Sequence, residues 1–371
     1  MKALIPLSKP FLGELEASYV SDSVKSGWLT QSGSYVRLME SHIRSHLHGD
    51  NSSKIVTSSS NGTTALHLVL MSIGVGPGDE VIVPDFGYIA PVNTVLMCGA
   101  TPVVVDVDKF TWCLDPELVS MAITKRTKAI IAIDNYGLFA NIERIRTLIP
   151  DNIVIIEDAA ESFPSIYSSP HDLYKGDFIT TSFYANKVVT SGEGGAISGE
   201  PEFIAKINSL KSQSVNSLGT FDHVDIGYNY RISNLHAAVF CAQWEKLTQI
   251  LDNRTRVFNH YFNMLLTEGV NFESNQFLSL KNPWLLALRL PDLDVSINQI
   301  RNELSKLGIE TRPGFKPASQ HKYLEGKIRI SSPIENANSL YNEIICLPTY
   351  PDLANSDIEY ICKSLNNLLL K

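Results

Sequence analysis

The sequence predicts an α/β protein in which a large layered domain precedes a smaller C-terminal domain. Between about residues 55 and 200, short β-rich runs alternate with helical segments. The runs are apolar on both faces, as buried parallel strands are. Beyond Ile232 the pattern changes to a long amphipathic helix, which a short strand and another helix follow. These observations indicate a layered α/β unit joined to a second, smaller one.

Each predicted strand is bounded by Gly, Pro, Asp or Asn, the residues that commonly end strands. The predicted strands are Lys54–Thr57, Glu80–Pro84, Thr101–Asp106, Ala129–Asp134, Ile153–Glu157 and Phe178–Phe183. Helical segments such as Thr64–Ile73 and Pro116–Ile123 lie between them. Ligands of such sheets bind beyond the carboxyl ends of the strands, so we expect functional residues directly after each strand.

The domain boundary is predicted near residue 245, inside the long helix. This gives a large domain of residues 1–245, with a helical N-terminal arm, and a small domain of residues 246–371. In the small domain, Pro283–Pro291 is predicted to form a strand and Ile297–Leu307 a helix.

Composition excludes several classes of protein. With 371 residues, of which 44% are hydrophobic and 19% charged, the chain is a folded protein of more than one domain. A net charge of −8 argues against nucleic acid or an anionic membrane as partner. The apolar stretches are far shorter than the ~20 residues of a membrane helix. The five cysteines have no short pair spacing, which fits a reducing compartment. We expect a soluble, cytoplasmic protein.

The segment Ser58–Thr63 follows a predicted strand and opens a predicted helix. This arrangement presents free backbone N–H groups to an anion, which favours a phosphate site. An ordinary serine N-cap explains the same residues equally well. Gly74–Gly78 follows a helix and precedes a strand, so we expect a plain turn there and no dinucleotide loop.

Three residues beyond strand ends could contact a ligand. Asp158 could pair with a protonated nitrogen, or cap the segment that follows. Lys187 could have its amine desolvated and its pKa lowered, or lie in solvent. Tyr88 could stack on a flat ring, or fill the core. The histidines at 42, 46 and 48 lack a carboxylate or cysteine at metal spacing, so no metal is expected.

The phosphate site, the aromatic ring, the acid and the lysine occur in one domain. Pyridoxal phosphate requires this combination: N–H donors for its phosphate, a face for its ring, an anion for its pyridinium and an amine for its aldehyde. The sequence therefore predicts pyridoxal phosphate as the cofactor.

Seven motifs, spread through nearly the whole chain, resemble those of the DegT/DnrJ/EryC1/StrS sugar aminotransferases. They are Ser60–Leu68, Gly78–Pro84, Gly99–Pro102, Glu157–Glu161, Ser182–Lys187, Gly192–Gly195 and Gly227–Arg231. Within the family the chain is most similar to the GDP-perosamine synthase branch. The segments that carry this second similarity are Trp28–Gly33, Glu161, Glu310–Pro313 and Leu347–Pro351.

The resemblance implies the aspartate-aminotransferase-like fold type I of pyridoxal-phosphate enzymes. A large, mixed, mostly parallel sheet domain would precede a smaller α+β domain, and the protein would be a homodimer with shared active sites. Lys187 would hold the cofactor covalently, Asp158 would pair with its pyridine nitrogen, and Tyr88 would stack on its ring. Glu161 would lie beside the ring hydroxyl.

The resemblance also implies which residues bind the phosphate. Gly62, Thr63 and Ser182 would do so within one subunit, and Asn229 would reach the phosphate of the neighbouring subunit's cofactor.

The implied activity is transfer of an amino group from L-glutamate to C4 of a nucleotide-linked 4-keto-6-deoxyhexose, for deoxyamino-sugar and O-antigen synthesis. A GDP-linked sugar is the first choice. A dTDP-linked sugar or a 3-keto sugar stays open, because Asp134, Trp284 and Ser319–His321 depart from the family pattern. A related dehydratase would carry His in place of Lys187. A non-catalytic sensor would need an appended segment, and a nicotinamide enzyme a glycine fingerprint after a strand.

Overall fold

The computed structural model describes residues 4–49, 52–164, 173–215, 222–274, 284–291 and 293–370. Its strands are β1 (Ile55–Ser59), β2 (Glu80–Pro84), β3 (Thr101–Val105), β4 (Thr127–Ile133), β5 (Val154–Asp158), β6 (Phe178–Ser182), β7 (Gly195–Gly199), β8 (Leu286–Arg289), β9 (Arg312–Pro313), β10 (Arg329–Ile330) and β11 (Ile344–Leu347).

The helices surround two sheets. They are α1 (Glu14–Ser26), α2 (Ser34–His48), α3 (Gly62–Ser72), α4 (Ala90–Met97), α5 (Pro116–Ala122), α6 (Ile142–Leu148), α7 (Pro201–Leu210), α8 (Asn234–Glu245), α9 (Leu247–Thr267), α10 (Ile297–Lys306), α11 (Asn336–Glu343) and α12 (Asn355–Leu369). Across the described ranges, no helix is both long and apolar enough to cross a membrane.

The large sheet has the strand order β1-β7-β6-β5-β4-β2-β3-β10 within the described residues. The pairs from β6 through β10 are parallel, whereas β7 is antiparallel to both of its neighbours. The prediction of a mixed, mostly parallel sheet is confirmed. Because its parallel strands share one direction, the residues that follow β2, β4, β5 and β6 lie along one edge.

Burial explains why the strands are apolar on both faces. In β2, Ile82 packs into one core beside Val119 of α5, while Val81 and Val83 pack into another beside Leu66 of α3. Successive side chains of a strand point to opposite faces, so each strand must supply apolar residues to both layers.

The N-terminal helices pack against α8. His46 contacts the rings of Phe163 and Trp244, and His42 stacks on Trp244 at a centroid distance of 5.9 Å. Two of the three clustered histidines therefore serve as packing groups. Glu16 of α1 accepts a hydrogen bond from Gln243 of α8, which fixes the arm to the large sheet's helical layer.

The C-terminal part contains a second sheet, with order β8-β11-β9, packed against α9, α10 and α12. The predicted strand of Pro283–Pro291 is β8, although Pro283 lies outside the described residues. Helices α8 and α9 meet at Lys246, next to the predicted boundary. The division into residues 1–245 and 246–371 stays a prediction.

One strand crosses that boundary. Strand β10 pairs in parallel with β3 at the edge of the large sheet. Arg329 of β10 also donates a hydrogen bond to the buried Glu80 carboxylate at 2.9 Å. Residues from the C-terminal part thus complete the large sheet.

Candidate active site

The N-terminus of α3 supplies free backbone donors. Asn61 caps the helix: its side-chain oxygen accepts from the Thr64 amide at 2.9 Å, and the Asn61 amide donates to the Thr64 hydroxyl at 3.1 Å. The alternative of a serine N-cap is therefore not found, since Asn61 caps the helix. The amides of Gly62 and Thr63 precede Thr64 in the first turn, where a helix has no internal acceptor. They can bind an anion.

Gly62 lies directly against the end of β6. A Cβ atom at Gly62 would stand 2.9 Å from the Ser182 Cβ and 3.4 Å from its hydroxyl oxygen. The fold therefore brings two of the predicted phosphate ligands together. Gly195 of β7 is equally close to this turn, because a Cβ there would lie 2.5 Å from the Asn61 carbonyl oxygen. Only glycines allow the helix and the two strands to approach in this way.

Asp158 is the last residue of β5 and is 7% exposed. One carboxylate oxygen accepts a hydrogen bond from the Ala160 amide at 3.1 Å. Burial raises the pKa of Asp158 to about 6, although the Ala160 amide and the positive charge of Lys187 oppose the shift. A buried carboxylate in this environment gains from a cationic partner, such as a protonated ring nitrogen.

Lys187 lies in the loop between β6 and β7, with its side chain 12% exposed. Burial lowers the pKa of its amine, and the nearby Glu161 and Asp158 carboxylates partly restore it. Its Nζ lies 4.0 Å from a carboxylate oxygen of Glu161. An amine with a lowered pKa is a better nucleophile at neutral pH, because more of it is unprotonated.

Glu161 completes an acidic pair around the lysine. Its second oxygen accepts a hydrogen bond from the Tyr136 amide at 2.8 Å. Burial raises the pKa of Glu161 to about 7, against the attraction of Lys187. The carboxyl groups of Asp158 and Glu161 therefore titrate near neutral pH, beside an amine whose pKa is lowered, which suits groups that must donate and accept protons.

An aromatic wall, formed by Trp284, Tyr136 and Phe315, borders the lysine. The Lys187 Nζ lies 3.9 Å from the centroid of a Trp284 ring. Tyr136 stacks between Trp284, at 6.1 Å, and Phe315, at 4.9 Å. The Trp284 ring nitrogen donates to the Asn186 carbonyl at 2.9 Å, which fixes the indole against the lysine loop.

These residues fit pyridoxal phosphate. The site offers backbone donors at a helix N-terminus, a buried acid whose pKa is raised, and a largely buried amine with a lowered pKa. The close approach of Gly62 and Ser182 adds a hydroxyl to the donor set.

Comparison with known proteins supports the same conclusion. Residues 10–366 match the DegT/DnrJ/EryC1/StrS aminotransferase family. The chain belongs to this family. It is 34% identical to the GDP-perosamine synthase of Escherichia coli O157:H7 over 365 residues, which cover 98% of both chains. It is also 34% identical to the GDP-perosamine synthase of Vibrio cholerae over 372 residues, covering 98% of this chain and 99% of that one.

A solved structure extends the comparison. A Streptococcus pneumoniae protein described as a sugar aminotransferase, in its PLP form, superposes with a TM-score of 0.90 at 25% identity. The match covers 99% of this chain and 100% of that one. The protein is thus a pyridoxal-phosphate-dependent aminotransferase of the DegT/DnrJ/EryC1/StrS family, as the sequence predicts.

Two predicted ligands lie apart from the group around Lys187. Tyr88 is 60% exposed, and among the described residues its ring meets the aromatic wall at Phe315 alone, at a centroid distance of 6.4 Å. Asn229 is also exposed and pairs with Ser212 in an isolated bridge. Their contacts with the cofactor stay predictions. Phe315 itself was not anticipated, because nothing in its local sequence marks it as a neighbour of the lysine.

Two departures from the family pattern have structural roles. Asp134 is fully buried, and its oxygens accept from the Ala140 amide at 2.9 Å and the Ser162 hydroxyl at 2.6 Å. Ser319 donates to the buried Asp85 carboxylate through both its amide and its hydroxyl, each at 2.7 Å. Both departures therefore fix loops near the site. The third, Trp284, contacts Lys187 directly.

Proposed function

We propose that this aminotransferase moves an amino group from L-glutamate to C4 of a GDP-linked 4-keto-6-deoxyhexose. The observation that carries the amino transfer is Lys187, largely buried between the carboxylates of Asp158 and Glu161. The choice of sugar nucleotide is supported by the two relatives named GDP-perosamine synthase, which align along almost their whole length.

Lys187 is the residue that moves protons in this proposal. Bound pyridoxal phosphate supplies an electron-accepting ring next to the carbon that exchanges the amino group. Lys187 takes the proton from Cα of the amino acid, and in the second half of the reaction it returns a proton to C4 of the sugar. Asp158 keeps the proton on the pyridine nitrogen, because a buried anion stabilises a neighbouring cation.

Glu161 and the aromatic wall form the surroundings that set the protonation state of the Lys187 amine. The raised pKa of Glu161 lets it carry a proton near neutral pH, so that it can donate a hydrogen bond to the cofactor's ring hydroxyl. The Trp284 ring lies over the Lys187 amine, at 3.9 Å from the ring centroid to Nζ. Burial of the amine favours the unprotonated form that proton abstraction requires, against the attraction of the Glu161 and Asp158 carboxylates.

The structural roles of Asp134 and Ser319 remove one argument for a dTDP-linked sugar. Since their side chains are bonded to Ser162 and Asp85, these departures give no reason to place a different nucleotide in the site. We further propose that the enzyme works as a homodimer with shared active sites, in the cytoplasm, in deoxyamino-sugar synthesis for a surface polysaccharide such as O-antigen.

The test supplies the purified enzyme with pyridoxal phosphate and L-glutamate. GDP-, dTDP- and UDP-linked 4-keto-6-deoxy sugars, and their 3-keto counterparts, are offered at equal concentration, with Lys187→Ala as the inactive control. We expect the fastest turnover with a GDP-linked 4-keto sugar, and the product's amine on C4 by mass spectrometry and NMR. Faster amination of a 3-keto sugar would contradict the proposed position.

A further inference from the structure

A small cavity adjoins the loop that carries Lys187. Its volume is about 190 Å³, and its walls come from three segments: the loop before the lysine, the end of the small domain's β9 region and the N-terminal residues. Tyr184, Ala185 and Asn186 form the first wall and directly precede Lys187 in the chain. The space holds several waters, or one carboxylate or phosphate group.

Arg312 is the cation of this cavity. Among the described residues, its guanidinium has no hydrogen bond or ion pair. Other arginines near the sheets are bonded: Arg329 binds Glu80, and Arg289 binds Glu273 and Glu343. Strand pairing with Cys346 fixes the Arg312 backbone, so its side chain is presented from a rigid element.

The neighbouring acid does not neutralise Arg312 directly. Glu310 also lines the cavity, but one of its carboxylate oxygens accepts the Leu7 amide at 2.9 Å. The backbone of the same residue bonds to Ile5. Glu310 therefore fastens the N-terminal segment to the β9 region, while Arg312 keeps its five donors available.

We propose that Arg312 binds an oxyanion of a substrate in this cavity, next to the three residues that lead to Lys187. A guanidinium forms paired, charge-assisted hydrogen bonds with carboxylate or phosphate oxygens. Both substrates of the proposed function carry such a group: the amino acid has carboxylates and the nucleotide-linked sugar has a diphosphate. The choice of these two candidate ligands rests on the proposed function. Binding here would hold the reacting carbon over the lysine.

The experiment uses Arg312→Gln, Arg312→Lys and the matched control Arg144→Gln, whose arginine pairs with Glu117 on the surface. Glutarate, a dicarboxylate without an amine, and GDP are each titrated into the cofactor-loaded enzymes by calorimetry. For Arg312→Gln we expect one probe to lose about tenfold to a hundredfold in affinity, as the loss of a hydrogen bond to a charged group predicts. Arg312→Lys should show a smaller loss of affinity, and Arg144→Gln should bind both probes as tightly as the wild type does.

The probe that loses affinity identifies the source of the oxyanion. Unchanged binding of both probes by Arg312→Gln, or a wild-type enzyme that binds neither, would overturn the subsite. Amino-sugar formation by the wild type tests the proposed function separately. If no amino sugar forms but Arg312→Gln still loses glutarate or GDP, the subsite stands and the proposed function fails.

Discussion

Two buried lysines with lowered pKa values have opposite surroundings. The Lys211 amine donates to the Thr57 hydroxyl and the Ser58 carbonyl, at 2.5 and 2.8 Å, so two of its three N–H groups are bonded. The Lys187 amine instead faces the Glu161 carboxylate and the Trp284 ring. Burial alone therefore does not identify a reactive lysine. What distinguishes Lys187 is that its neighbours leave the nitrogen available for bonding.

This contrast gives a test that needs no substrate. Borohydride reduction of the enzyme with pyridoxal phosphate should add the cofactor's mass to the peptide that contains Lys187, and not to the Lys211 peptide. Lys187→Ala should fold and show no fixed cofactor. Peptide mapping by mass spectrometry is the measurement. A label on Lys211, or a label retained by Lys187→Ala, would show that the cofactor lysine is misassigned.

The raised pKa of Glu161 makes the stability of the cofactor-free protein depend on pH. The folded state binds a proton up to about pH 7, whereas the unfolded chain releases it near 4.5. Stability is therefore lost as the pH rises through this interval. Glu161→Gln keeps an acceptor for the Tyr136 amide and removes the titration. The melting temperature of Glu161→Gln, relative to that of the wild type, should therefore increase as the pH rises from about 5 to 8.

Calorimetric melting curves at several pH values provide the comparison. Glu143→Gln, which changes an exposed acid, is the control and should track the wild type throughout. Parallel pH profiles for the wild type and Glu161→Gln would mean that Glu161 ionises normally in the folded protein.

At the scale of elements, the contact between α3 and β6 builds the phosphate site. Gly62→Ala would place a Cβ 2.9 Å from that of Ser182, so the helix and strand must separate. We expect a loss of about 1–3 kcal/mol in the free energy of unfolding, as for other overpacked sites, and weaker binding of pyridoxal phosphate. Gly76→Ala is a matched control, since no heavy atom lies within 4 Å of its added Cβ.

Urea unfolding of the cofactor-free variants and fluorescence titration with pyridoxal phosphate measure the two effects. Normal stability and normal cofactor affinity in Gly62→Ala would show that this contact does not limit the site.

Apolar periodicity predicts some elements well. Strand β2 has the predicted bounds, because five consecutive buried residues between turn residues leave little choice. Strand β7 was missed, because its sequence, Gly-Ala-Ile-Ser-Gly, lacks β-branched and aromatic residues except Ile197. Its two glycines are required by packing, since a Cβ at Gly195 would collide with Asn61 and one at Gly199 with Phe178. Strand β10 was missed because two residues carry no detectable pattern.

The site shows the same limit. The positions of Asp158 and Lys187 at the binding edge of the sheet could be predicted, because Asp158 ends a strand there and Lys187 lies in the loop that follows another. The contact of Trp284 with Lys187 could not, since it depends on how the chain just before β8 packs against the loop that follows β6. Arg312 was noticed only as part of a family motif, and its unpaired charge is visible only in three dimensions.

At the scale of the whole molecule, the proposed homodimer predicts complementation between inactive variants. Exposed Asn229 is predicted to reach the neighbouring subunit's cofactor, whereas Lys187 acts in its own subunit. A mixed dimer of Lys187→Ala and Asn229→Ala would then hold one site with both lesions and one with neither. We expect part of the wild-type activity to return after subunit exchange. Proven exchange without recovery, from two inactive parents, would place Asn229 in its own subunit's site.

The pairing of β10 with β3 also bears on protein synthesis. Of 371 residues, 330 must leave the ribosome before Arg329 and Ile330 can cover the edge of the large sheet. Until then the nascent chain presents β3 as an open strand edge, which can pair with other chains. A gene fragment that ends at residue 245 would make this exposure permanent. We expect such a fragment to accumulate in inclusion bodies. In the full-length chain, Arg329 and Ile330 pair with β3 and cover this edge.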